Sequence, residues 1–374
     1  MKQTVLFLIP DLGHGGAERV LVNLANSMDK EQFEVTVMTL FDQGVNKKLL
    51  SPEVIYRTAG LKQIRGYSRL FAFVPARALY KKIVKERYDY VISYLEGAAT
   101  RIISGCPWPD SKKVCWIHIE LNDKRKLRAG FFSANAAINA YHQFDEIVCV
   151  SETVRQIFQK TAGQVFEHCM VLYNTVESDV IRSKAQEELS DVVFSSNTVN
   201  VCSVAKLMYS KGYDRLIRVH QRLLNEGVDH HIYILGVGEK EEELKHYAKE
   251  NGLTDTFTLL GFRDNPYKYV AACDLYVCSS RREGFSTAVT EALIVGTPVV
   301  STCCSGAYEL LGYHEEYGIV TENSEEGIYN GMKKMLLNEA LRRRYAEAAR
   351  LRGEQFSKEK TTHAVEIMLQ DLTI

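Results

Sequence analysis

The chain has no apolar run approaching the ~18 residues that cross a bilayer. Its opening Thr-Val-Leu-Phe-Leu-Ile-Pro is shorter than the apolar region of a secretory signal and runs straight into a polar glycine loop. These absences lead us to expect a cytoplasmic protein, either free or held peripherally on the inner face of the cell membrane. Charge of one sign is missing too. The 46 Lys and Arg nearly cancel the 47 Asp and Glu, for a net charge of −1, so nucleic acid is not an expected partner. The nine cysteines are odd in number, form no C-x-x-C pair and lie inside apolar runs, which reads as reduced, buried thiols and not zinc ligands. No Asp-x-Asp occurs, and no His/Asp group has metal-ligand spacing, so no metal and no other cofactor is expected. No dinucleotide fingerprint is complete. Gly-Val-Gly-Glu at 236–239 fails at Glu241, and the glycines at 13–16 lack the Lys-Ser/Thr of a phosphate-binding loop.

What is present is globular: 374 residues, 46% hydrophobic and 25% charged, too long for one ordinary core. Short apolar runs at 4–9, 34–39, 90–93, 113–117, 146–150 and 168–172 alternate with amphipathic helical patterns. A second series follows at 198–204, 231–235, 257–260, 275–279, 298–301 and 318–320. Runs that are continuous, and not alternating, mark strands buried on both faces, hence parallel sheets covered by helices. The expected fold is α/β, with two Rossmann-like doubly wound domains at 1–185 and 186–355. A terminal helix at 356–374 is expected to pack back on the first domain. The polar stretch 177–197 reads as the linker. Ligands of such sheets bind beyond the carboxyl ends of the strands, so an interdomain cleft is the expected site.

The loops after those strands hold the candidate chemistry. At 282–300, Glu283 and Glu291 have seven residues between them. Ser286 or Thr287 can cap a helix with apolar Ala288, Val289, Ala292, Leu293 and Val295, which Gly296 and Pro298 end. Backbone N–H groups around Phe285, Ser286 and Thr287 then favour an anion, flanked by carboxylates able to accept from sugar or ribose hydroxyls. Two glutamates at a helix start serve equally as dipole-stabilising surface residues. Gly13, Gly15 and Gly16 precede a helix expected from 17 to 28, and fit either close approach to an anion or a tight turn. Lys206 and Lys211 on one loop suit a diphosphate, or are two solvated lysines. His118 ends a buried strand, as a ligand-facing or a structural histidine.

Taken in order, Gly-Gly-Ala-Glu-Arg-Val-Leu at 15–21, Asp-Glu-Ile-Val-Cys-Val-Ser-Glu at 145–152, Val-Leu-Tyr-Asn-Thr-Val-Glu at 171–177 and the segments 204–217 and 261–302 resemble glycosyltransferase family 4. The resemblance spans nearly the whole chain, and the spaced glutamates match the family's E-x7-E signature. It implies a GT-B fold and a retaining, metal-independent glycosyltransferase using a nucleotide sugar, UDP- or GDP-linked. The acceptor would be a glycan or a lipid-linked glycan, in capsule, other surface polysaccharide or glycolipid synthesis. Glu283, His118 and Lys211 would be catalytic. Gly15, Gly16, Lys206, Lys211, Gly284, Phe285, Ser286, Thr287 and Glu291 would bind the donor, with Glu291 on the ribose and the lysines on the diphosphate. The family commonly has Gly-Arg-Leu where this chain has Ala205-Lys206-Leu207, so a point charge replaces a bidentate fork. An epimerase or a non-catalytic sugar-binding protein of the same architecture is the alternative. In the first half, Arg69, Arg77, Lys81, Lys82, Lys85 and Arg87 interleave with Leu70, Phe71, Phe73, Val74, Leu79 and Ile83. Lys124, Arg125, Lys126 and Arg128 adjoin Phe131 and Phe132. Basic and aromatic together, these segments suit an anionic membrane surface, interrupted by Pro75.

Overall fold

The computed structural model describes residues 2–13, 15–64, 66–195 and 197–373. It divides into two compact units, Met1–Val176 with Lys358–Ile374, and Glu177–Ser357.

In the first unit, Val5 to Ile9 are fully buried, which only a strand covered on both faces allows. This is β1 (Gln3–Ile9), followed by β2 (Phe33–Thr39), β3 (Ile55–Thr58), β4 (Tyr90–Ser93), β5 (Lys112–Ile117), β6 (Glu146–Cys149) and β7 (Cys169–Val171). All pair in parallel, in the order β3-β2-β1-β4-β5-β6-β7. β3 was not expected from sequence. It is an edge strand whose residues alternate between exposed and half-buried, so it lacks the apolar run that marks its neighbours. The closing helix Lys358–Asp371 belongs to this unit. Its Val365, Met368 and Leu369 are buried, and Glu366 Oε1 accepts from Asp29 N at 2.7 Å, tying it to the end of the helix Gly16–Ser27.

The second unit repeats the design. Its strands β8 (Val199–Val204), β9 (His230–Leu235), β10 (Phe257–Gly261), β11 (Leu275–Cys278), β12 (Val299–Thr302) and β13 (Ile319–Thr321) run parallel in the order β10-β9-β8-β11-β12-β13. Val201, Ile232, Ile234 and Val277 form its core with Leu216 and Leu223 of the helix Tyr213–Asn225. Truncating any one of these to Ala costs roughly 2–5 kcal/mol. The linker expected at 177–197 is corrected in part. Residues Ser178–Ala185 form a helix of this unit, anchored by buried Ile181 and by Asn265 Nδ2, which donates to Lys184 O at 2.8 Å.

In each sheet the strand order reverses once, between β1 and β4 and between β8 and β11. Beyond the carboxyl ends at such a reversal the flanking loops diverge to opposite faces and leave a crevice.

Candidate functional site

At the β8/β11 reversal, the loop leaving β11 carries Glu283. Its Oε1 accepts from Lys211 Nζ at 2.7 Å and from Ser280 Oγ at 2.6 Å. The two side chains are 13% and 23% exposed, sheltered but reachable. Burial, the strongest influence on Lys211, pulls its pKa down. The charge and hydrogen bond of Glu283 outweigh it and hold the ammonium above its ordinary value. The structure thus joins Lys211 to Glu283 and leaves Lys206 exposed on the same loop, above buried Leu207.

Two glycines explain why these loops pack so closely. Gly212 has φ +71°, and a Cβ there would meet Ser279 O at 2.1 Å; a Cβ at Gly238 would meet Leu207 O at 2.3 Å. Side chains then rivet the loops together. Arg281 grips Asp214 with both Nη atoms, at 2.6 and 2.7 Å. Its Nη1 also donates to Tyr209 O at 2.8 Å, and its guanidinium lies 4.0 Å from the Tyr209 ring centre. Arg281 N donates to Ser210 O at 2.7 Å, and Ser279 Oγ to Lys211 O at 2.9 Å. The Arg281 hydrogen bond, reinforced by its charge and that of Arg218 against a smaller burial cost, holds the Asp214 carboxyl down to about 2.

The following helix, Thr287–Val295, starts where Ser286 Oγ accepts from Val289 N at 3.3 Å and ends at Gly296, φ +84°. Its first N–H groups, those of Thr287 and Ala288, have no acceptor within the helix. The Phe285 side chain is buried, its ring centre 5.8 Å from that of Phe356, so contact with a ligand there falls to its backbone. Gly284 and Glu291 are half-buried, Glu291 in the second turn of the helix.

At the β1/β4 reversal, the loop after β1 is braced from behind. Asn46 N donates to Leu12 O at 3.0 Å and its side-chain amide to Gly13 O, while Gly13 N donates to Asp11 Oδ1 at 2.9 Å. The helix Gly16–Ser27 follows, with Gly15 as its N-cap residue and no side-chain cap. At the end of β5, His118 is 8% exposed, its ring centre 4.8 Å from that of Tyr94. Burial pushes its pKa down to about 3, against a hydrogen bond from the ring to the Tyr94 backbone. The imidazole is neutral, and its Nε2 is buried without a hydrogen-bond partner among the described residues. His118 N donates to Glu96 Oε2 at 3.1 Å.

Glu96, Arg281 and Asp214 were missed in the sequence. For Glu96 a signal existed, because Glu96-Gly97 after buried β4 repeats Glu283-Gly284 after buried β11. Arg281 and Asp214 are 67 residues apart and share no local pattern. A concavity of about 560 Å³ in the first unit, lined by Trp108, Lys112, Asp145 and His168, opens at the amino ends of β5, β6 and β7. The candidate residues of this unit follow the carboxyl ends of β4 and β5, at the other edge of the sheet. Among the described residues no group of three or more His, Cys, Asp or Glu is placed to hold a metal ion, and no helix is long and apolar enough to cross a membrane.

The basic segments of the first unit need a correction. Pro75 splits the first into helices Tyr67–Ala72 and Ala76–Ile83, and Leu79, Ile83 and Phe131 face inward. Phe73 and Phe132 are 72% and 68% exposed, with ring centres 5.7 Å apart, so both segments meet at one aromatic tip.

The description glycosyl transferases group 1 matches residues 185–352, and that of glycosyltransferase family 4 matches residues 14–180. The chain is 37% identical over 375 residues to the Campylobacter jejuni N-acetylgalactosamine-N,N'-diacetylbacillosaminyl-diphospho-undecaprenol 4-alpha-N-acetylgalactosaminyltransferase, covering 96% of this chain and 97% of that protein. An uncharacterized glycosyltransferase of Haemophilus influenzae is 23% identical, covering 96% and 98%. Among solved structures, Anabaena HepE in complex with UDP superimposes with a TM-score of 0.77 at 21% identity, covering 99% of this chain and 100% of that one. A Rickettsia africae glycosyltransferase gives 0.80 at 17% identity, covering 99% and 98%.

Proposed function

The chain belongs to glycosyltransferase family 4 and has its GT-B fold, and from that premise we propose that it moves an N-acetylhexosamine from a UDP-sugar to a glycan carried on a polyprenyl diphosphate, with retention and without a metal. The Campylobacter relative acts on an undecaprenyl-linked acceptor, and HepE is solved with UDP. The observation that carries the reading is the Lys211–Glu283 pair at the β8/β11 reversal.

An ammonium has three N–H donors. Glu283 takes one, which leaves two for oxygens of the donor diphosphate. Lys206 and the N–H groups of Thr287 and Ala288 add positive potential to the same anion, joined by the backbone of Gly284 and Phe285. Glu283 orients the donor sugar through its hydroxyls, and Glu291 holds the ribose. The sugar–diphosphate C–O bond breaks as the acceptor oxygen attacks on the same face, and the acceptor proton passes to the leaving phosphate oxygen. Catalysis is then positioning and stabilisation of separated charge.

Incubation of the full chain with a panel of UDP- and GDP-sugars and a short polyprenyl diphosphate bearing N-acetylgalactosamine tests this. Nucleotide release with an extended α-linked lipid glycan is expected. Interconversion of the donor sugar without transfer would establish the epimerase alternative. For the acceptor to be reached, we place the Phe73–Phe132 tip, among Arg69, Arg77, Lys124, Arg125 and Arg128, at the anionic inner face of the cell membrane. Vesicles containing anionic lipid should retain the protein and release Phe73→Ser/Phe132→Ser. Equal, negligible binding of the unmodified chain to anionic and neutral vesicles at low salt overturns the membrane placement.

A further inference from the structure

Glu96 holds in the first unit the topological place that Glu283 holds in the second. Each follows the buried strand on one side of the order reversal, and each precedes a glycine. Gly97 has φ +93° and ψ −116°, a conformation closed to most side chains. A Cβ on Gly130 would lie 2.6 Å from the Gly97 carbonyl carbon, so backbone is packed on backbone here. The course of the chain at Glu96 is therefore fixed.

The electrostatics differ from those at Glu283. Glu96 makes no ion pair among the described residues. Burial raises its carboxyl above the usual range, offset only in part by the N–H groups of His118 and of Glu96 itself. The titratable groups around it are His118, whose N donates to it and whose ring lies against Tyr94, together with Cys115 on β5 and Tyr141 on the helix Ala134–Tyr141, both of which feel its charge. All are held neutral, because burial raises the phenols and the thiol and lowers the imidazole. A half-buried carboxylate with no cation beside it is costly to keep charged, and such groups collect at functional sites. Beside it, His118 Nε2 is a second acceptor, buried and with no donor among the described residues. Two adjacent acceptors short of donors are complementary to a molecule rich in hydroxyls.

We propose that Glu96 binds the acceptor sugar, its carboxylate taking a hydrogen bond from a hydroxyl of the residue that receives the transferred sugar. This rests on the transfer reading given above. The test uses the full chain, a UDP-N-acetylhexosamine and the same polyprenyl diphosphate acceptor, with donor hydrolysis followed separately. Glu96→Ala raises the acceptor KM about tenfold or more, the loss of one hydrogen bond to a charged group, while the donor KM and donor hydrolysis stay within about twofold. Glu96→Gln, nearly isosteric, gives a smaller rise and removes the acid limb from the pH profile of kcat/KM for the acceptor. If both variants leave the acceptor KM unchanged, or raise donor and acceptor KM alike, the assignment is overturned. If the unmodified chain transfers nothing to any acceptor and hydrolyses no donor, the transfer reading fails and takes this one with it.

Discussion

Two Glu-Gly pairs stand at equivalent points of two sheets, and they are wired in opposite ways. Glu283 is neutralised by Lys211, bonded to Ser280 and set on a loop that Arg281 clamps to the neighbouring turn. Glu96 has backbone N–H groups and a neutral imidazole for company. The difference separates two demands on one topology. A site for a doubly charged diphosphate needs fixed cations and a rigid frame before the ligand arrives. On the proposed reading Glu96 meets an uncharged sugar alone, which needs acceptors and no cation, whereas Glu283 meets a sugar joined to the diphosphate.

The sharpest break in the comparison is Glu283→Ala. Removing a contact strengthened in the transition state costs about 2.7–4 kcal/mol, two to three decades in kcat. Steady-state turnover should show that loss with the melting temperature little changed, and near-normal turnover would remove Glu283 from the chemistry. Next comes Lys211→Ala, expected to weaken nucleoside-diphosphate binding roughly 10- to 100-fold by calorimetry, and nucleoside binding much less. Lys206→Ala, exposed, should weaken it less, with an effect that fades as salt rises. Equal losses for diphosphate and nucleoside would make the lysines structural.

The Arg281–Asp214 clamp yields an effect on stability. The folded-state pKa of Asp214, about 2, lies below its ordinary 3.8. Its contribution, on the order of 2 kcal/mol, is therefore full above about pH 4 and lost as pH falls toward 2. Chemical denaturation across that range should show the unmodified chain losing stability more steeply than Asp214→Asn, and parallel curves would refute the clamp. Smallest of all, EDTA should change transfer by less than about twofold. A full loss restored by magnesium or manganese would contradict the metal-free reading.

Much of this was legible where the chain is locally self-consistent. Buried β11, the Ser286 cap, Gly296 and the strand after Pro298 each announce themselves within a few residues. β3 did not, because an edge strand with exposed alternate residues carries no apolar run. The helix Ser178–Ala185 passed for linker because it buries little beyond Ile181. In the helix Ala76–Ile83, the spacing of Leu79, Tyr80 and Ile83 makes one inward face, which a tally of apolar residues among basic ones conceals. The Lys211–Glu283 pair joins two motifs noticed separately, 72 residues apart, and only folding shows that they touch.

Gly16 carries a different lesson. Its φ is not positive, and a Cβ there would meet nothing within 4 Å among the described residues. Folding has no use for a glycine at that position. Alanine would stiffen the unfolded chain and raise stability by roughly 0.4–1 kcal/mol. If the Gly16 backbone meets the donor, as the family resemblance implies, the most heat-resistant version of this protein and the most active one should part company at a single methyl group. A directed-evolution campaign that selects on temperature alone would be drawn to Gly16→Ala, and would discover the cost only when it assayed the sugar.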